Sequence, residues 1–153
     1  MQSRPLDRDR VNNQLRRLEA YLHRLEALRS NGKEKFLSED ILEAATERNL
    51  QLAIDTLLNL GNHIVAIRGL RLPEEYADIF RILAEEKILN SDLVPRYVEM
   101  AKFRNKLVHF YEEIDKEQVW KILENDLGDI SAFQHLVLGL LKEQAENDGG
   151  EIL

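Results

Sequence analysis

The chain has 153 residues, 44% of them hydrophobic, which suits one core and leaves little room for two. It contains no cysteine, so disulfides, thiolate metal sites and a cysteine nucleophile are excluded. The formal charge of -7 opposes tight nonspecific nucleic-acid binding, yet residues 1–35 hold nine basic against five acidic side chains, which leaves them at +4 and the remainder at -11.

No uninterrupted apolar run reaches the roughly 18 to 20 residues that cross a bilayer, and the N-terminus MQSRPLDRDR is charged where a signal peptide is apolar. A cytoplasmic protein with no membrane partner is expected. Only 3 Pro and 7 Gly interrupt a sequence rich in Leu, Glu, Ala, Arg and Lys, so the fold class is all-α.

The first helix is marked by Val11, Leu15, Leu18, Leu22, Leu25 and Leu28 at steps of three or four, and should end at Ser30-Asn31-Gly32. Ser38 reads as the N-cap of a second helix reaching about Arg68, long, bent or interrupted near Gly61. Pro73 should open a short third helix over 74–86. Ser91 or Asp92 should cap a fourth, with Pro95 in its first turn and a face of Leu93, Tyr97, Met100, Ala101, Arg104, Leu107 and Val108. Asp115, with Gln118 three residues on, resembles a capping box opening a last helix that carries apolar residues from Val119 to Leu141. The expected product is a single-domain helical bundle of about five helices over 1–146, with 147–153 a flexible C-terminal tail.

The familiar catalytic patterns are missing: no Gly-rich phosphate loop, no HExxH pair and no GxSxG elbow. The four histidines, His23, His63, His109 and His135, show no short-range pairing, so neither a metal nor a cofactor is expected. His23, His63 and His135 read as structural or boundary residues. His109 stands in Phe103-Arg104-Asn105-Lys106-Leu107-Val108-His109-Phe110-Tyr111, five residues after an arginine on an apolar face. On an ideal helix that gap separates Arg104 and His109 by about 140°, so their convergence needs a helix end at His109 or a second copy across a two-fold axis. The alternative is an Arg104 paired with a helix carboxylate such as Asp55, and a His109 packed at a helix C-terminus.

The run from Arg104 to Tyr111 resembles the R-x4-H-x-Y signature of the HepT branch of the HEPN superfamily, ribonuclease toxins paired with a minimal nucleotidyltransferase antitoxin. Glu47-Arg48-Asn49-Leu50-Gln51, Asp55, Gly61-Asn62-His63-Ile64, Ile79-Phe80-Arg81-Ile82-Leu83-Ala84 and Val119-Trp120 extend the likeness over roughly residues 40–135. The resemblance implies a HEPN-like, face-to-face homodimer and metal-independent cleavage of RNA, with the ribose 2′-hydroxyl attacking the adjacent phosphate. It assigns His109 to proton transfer and Arg104 to phosphate and transition-state binding, which suits a near-neutral imidazole and a bidentate guanidinium. Asn105 takes a supporting polar position, or is an ordinary helix-face residue. Tyr111 matches the tyrosine that accepts nucleotidyl groups from the antitoxin in a type VII toxin–antitoxin pair; otherwise it is a packing aromatic. An adduct there would block the cleft. The implied partners are a second copy, an MntA-type nucleotidyltransferase antitoxin and RNA, with no DNA. Two other functions stand beside the nuclease: a non-catalytic helical partner of a nucleotidyltransferase, or the antitoxin itself.

Overall fold

The computed structural model describes residues 4–152, with side chains through Asp148; Met1–Ser3 and Leu153, the outer ends of the expected domain and tail, lie outside it. All regular structure among these residues is helical: α1 (Arg8–Ser30), α2 (Lys33–Ser38), α3 (Asp40–Ile67), α4 (Asp78–Glu85), α5 (Val94–His109), α6 (Lys116–Asn125) and α7 (Leu127–Ile152), with single 3-10 turns at Ser91–Leu93 and Tyr111–Glu113. The expected five become seven through one added short helix and one division.

α1 forms where its apolar spacing places it, burying Val11, Leu15, Leu18, Leu22 and Leu25, and the side chain of Asp7 caps it by accepting from the Arg10 amide. Its stop at Gly32 is also as expected, since φ of +91° is open to glycine and strained for other residues. Ser38 is not the cap of the next helix. Residues 33–38 coil into α2 because that buries Phe36, which packs on Trp120 at 5.4 Å, and the Ser38 hydroxyl donates back to Lys35 O. Glu39, in extended conformation, precedes α3.

α3 is the central helix and runs unbroken through Gly61, buried among α1, α4, α5 and α7. It is the one helix among the described residues long and apolar enough to span a membrane, and most of its apolar side chains, the exposed Ile41 excepted, lie inside the bundle. Gly61 lets α4 approach: a Cβ there would lie 2.6 Å from Ile79 Cγ2.

The helix expected from Pro73 begins later, at Asp78. The intervening chain is held by Asp78, whose carboxylate accepts from the Glu74 amide at 3.1 Å and from Arg71 Nη1 at 2.7 Å, while Arg71 also grips Glu85. This fork holds the buried Asp78 carboxyl below the usual carboxylate range. Asn90, not Ser91 or Asp92, caps the next turn by accepting from the Asp92 amide, and Pro95 lies in the first turn of α5 as expected. Phe80, Tyr97 and Phe133 join α4, α5 and α7, and the Tyr97 hydroxyl donates to Asp129 O at 2.7 Å.

Asp115 caps α6 as expected, accepting from the Glu117 amide. The single last helix is two, broken at Asp126. The break omits no residue from the apolar rhythm, so Leu123 and Leu127 are both buried and the sequence pattern reads as continuous. α7 runs to Ile152, into the stretch from 147 onward expected as the C-terminal tail. Gln144 clamps both backbone polar groups of Leu6, at 2.7 and 3.2 Å, and Asp148 pairs with Arg8, so the end of α7 is tied to the N-terminal segment.

Candidate active site

The last turns of α5 and the middle of α3 meet at Arg104. Arg104 Nε donates to Asp55 Oδ1 at 2.5 Å, its Nη1 donates to Asn105 Oδ1 at 3.2 Å, and its Cζ lies 5.3 Å from the centre of the Tyr76 ring. The side chain is 17% exposed, so the guanidinium is desolvated on three sides yet still reaches solvent. Its Nη2 makes no hydrogen bond among the described residues and is left for an incoming acceptor.

His109 is the last residue of α5 and is exposed. The helix stops because Phe110 leaves helical geometry, at φ of -136°, with its amide still bonded to Lys106 O. Lys106 and His109 in the final turn suit the negative end of the helix dipole. The Phe110 ring meets the imidazole edge-on, with centroids 6.4 Å apart.

Arg104 and His109 therefore do not touch. Arg104 faces a recess of about 210 Å³ with Asp55, Leu58, Asn59 and Tyr76, whereas Asn105 and His109 line a larger cleft of about 640 Å³ with Asn59, Asn62, Glu74, Glu75, Tyr76, Ile79 and Phe110. The two share Leu58, Asn59 and Tyr76 as a common wall. Of the alternative arrangement, the Arg104–Asp55 pair is present, whereas His109 stands at the helix C-terminus exposed and not packed, and both border open recesses. Tyr111 is 69% exposed and lies elsewhere, in a third recess with His109, Phe110, Glu112 and Glu113. Tyr111 is thus absent from the lining of the main cleft, and His109 and Phe110 are common to the two recesses.

Asp55, Asn59 and Asn62 form the α3 side of the site. Their i, i+4, i+7 spacing in a helix otherwise apolar on that stretch was a readable signal. Tyr76 gave none, because its placement depends on the Arg71–Asp78 fork that folds the loop over Arg104. His63 belongs to the scaffold: its Nε2 accepts from the Asp7 amide at 3.1 Å, and burial, with Arg10 nearby, lowers its pKa. No group of three or more His, Asp or Glu suited to a metal occurs among the described residues.

A sequence model of the family described as "Ribonuclease HepT-like" matches residues 13–137. The mRNA nuclease HepT of Shewanella oneidensis is 24% identical over 125 residues, covering 82% of this chain and 93% of the relative. The tRNA nuclease HepT of Aphanizomenon flos-aquae is 26% identical over 141 residues, covering 90% and 95%. Among solved structures, the tri-AMPylated Shewanella oneidensis HEPN toxin in complex with MNT antitoxin superposes with a TM-score of 0.78 at 22% identity, over 84% of this chain and 96% of that one. YutE of Bacillus subtilis, a cytosolic protein of unknown function, gives 0.76 at 23% identity, over 91% and 93%.

Proposed function

Because this chain belongs to the HepT-like ribonuclease family and is an endoribonuclease by that membership, we propose that it cleaves RNA without a metal, at a groove shared by two copies, and that a nucleotidyltransferase antitoxin silences it at Tyr111. The observation that carries the reading is the poise of Arg104: fixed at Nε by Asp55, backed by Tyr76, with its Nη2 edge free. Such a guanidinium is pre-oriented for phosphate oxygens before substrate arrives.

The ribose 2′-oxygen attacks the neighbouring phosphorus, the bond from phosphorus to the 5′-oxygen breaks, and a 2′,3′-cyclic phosphate and a 5′-hydroxyl result. One imidazole takes the 2′-hydroxyl proton and another protonates the departing 5′-oxygen. One chain supplies one His109, at some remove from Arg104. A two-fold pair supplies two of each, which is the reason for proposing a face-to-face homodimer. Asn105 holds Arg104 Nη1 through its amide oxygen and acts as a positioning residue.

The exposed Tyr111 hydroxyl is the proposed acceptor for nucleotidyl groups. Its oxygen attacks the α-phosphorus of ATP, loses its proton and releases pyrophosphate. The added phosphates stand next to His109 and repel an RNA backbone. The cytoplasm is the proposed location, as for the cytosolic relative from Bacillus subtilis.

The reading is tested by incubating purified protein with total RNA in excess chelator. Cleavage leaving cyclic phosphate ends is expected from the native chain and not from Arg104→Ala or His109→Ala. Equal cleavage by all three would remove the site.

A further inference from the structure

The larger cleft has a composition that the cleavage chemistry does not call for. Apart from His109 at one end, its lining includes no basic side chain, and Glu74 and Glu75 contribute carboxylates, so away from His109 it is a poor place for a phosphate. It does hold two half-exposed aromatic rings, Tyr76 at 54% and Phe110 at 57%, over an apolar floor of Leu58 and Ile79. Three carboxamides, Asn59, Asn62 and Asn105, open into the same space, and of these only Asn105 is engaged by another side chain around the cleft, through Arg104. Exposed rings, an apolar floor and unengaged amides, with no lysine or arginine, suit a neutral heteroaromatic group that stacks on a face and hydrogen-bonds at its edge.

The geometry points to a nucleobase subsite between Tyr76 and Phe110, which takes the base of a nucleotide flanking the scissile phosphate of an RNA strand. The proposal rests on the nuclease reading for the identity of the strand. Tyr76 belongs to both recesses, since its ring covers Arg104 on one side and lines the cleft of His109 on the other. A base seated in the cleft thus places its own phosphate towards Arg104 and away from the Glu74 and Glu75 carboxylates. Glu75 is further occupied by Arg81, at 3.2 Å. Tyr76 is a specificity and positioning residue on this account, and Phe110 is its counterpart beside the imidazole.

The test is binding of the full chain to a labelled 2′-O-methyl RNA oligonucleotide, which cannot be cleaved, compared with a fully abasic strand of the same length. The native chain should prefer the intact strand by about five- to a hundredfold. Tyr76→Leu and Phe110→Leu should each lose most of that preference, Tyr76→Phe should keep it, and Arg104→Ala should weaken both strands alike. Equal binding of intact and abasic strands, no binding of either, or a preference untouched by Tyr76→Leu and Phe110→Leu would overturn the subsite. So would competition by free AMP as effective as by the strand, which would make the occupant a mononucleotide. Conversion of a dimer to monomers by Tyr76→Leu would overturn it too, by giving the cleft to the partner protomer. A base preference in a protein that cleaves no RNA would sink the nuclease reading and leave the subsite standing, whereas cleavage with no base preference would do the reverse.

Discussion

Asp55 on α3 takes the Nε edge of Arg104 on α5 at 2.5 Å, and so decides which edge of the guanidinium faces outward. An arginine held only by its flexible stem must be ordered when phosphate arrives. Here the ordering is built into the packing of α3 on α5, and the carboxylate leaves Nη2 unengaged.

Arg104→Lys retains the charge and loses the planar fork, and should lower kcat/KM for RNA by about a hundredfold. Asp55→Asn still offers an oxygen to Nε and should lower it less, by about tenfold. Steady-state kinetics on one RNA oligonucleotide compares them. An Asp55→Asn enzyme as damaged as Arg104→Lys would show that the carboxylate does more than orient.

Gly61→Ala tests the contact between α3 and α4. The added methyl would meet Ile79 Cγ2 at 2.6 Å, on a branched side chain that is itself buried, and one of the helices must shift. A loss of about 1 to 3 kcal/mol is expected, read as a lower midpoint in urea with an unchanged slope. A midpoint equal to the native one would mean that α4 is free to move aside.

The helical core was legible because it is periodic. Val11 to Leu25 and Val119 to Leu141 repeat at three and four, and burial follows the repeat almost residue by residue. Punctuation was less legible. Ser38 and Pro73 carry strong local signals, but the long-range packing of Phe36 on Trp120 wins at the first, and at the second the Asp78 carboxylate, which takes the Glu74 amide and Arg71. The site was visible in part for the same reason. Arg104, Asn105, His109 and Tyr111 fall within eight residues of one motif and Asn59 and Asn62 share a helix face with Asp55, whereas Tyr76 reaches the cleft only through the folding of the loop at 71–77.

His63 gives a pH dependence of known sign. Its folded pKa lies below the ordinary 6.5, chiefly through burial, so stability is complete above that value and is lost as falling pH protonates the unfolded chain and then the folded one. Protonation also removes the acceptor for the Asp7 amide. Between about pH 7.5 and about pH 5.5 the native Tm should fall further than that of His63→Gln, whose side-chain oxygen still accepts. Parallel Tm curves for the two proteins would exclude His63 as the source.

Tyr111 makes a separate prediction. With the partner nucleotidyltransferase, ATP and magnesium, intact-protein mass should rise by whole AMP units, and Tyr111→Phe should take none. Because the hydroxyl lies outside the main cleft, Tyr111→Phe should itself cleave RNA as the native chain does. Labelling that persists in Tyr111→Phe would move the acceptor elsewhere.

The shared groove is tested most directly by subunit exchange. Native chain and His109→Ala are mixed in equal amounts, allowed to exchange, and assayed for RNA cleavage. If one site needs both imidazoles, only native pairs are active and the rate falls to about a quarter of that of the same total of native protein. A rate of about half, in proportion to the native chains present, would mean that each protomer works alone and would contradict the two-fold site.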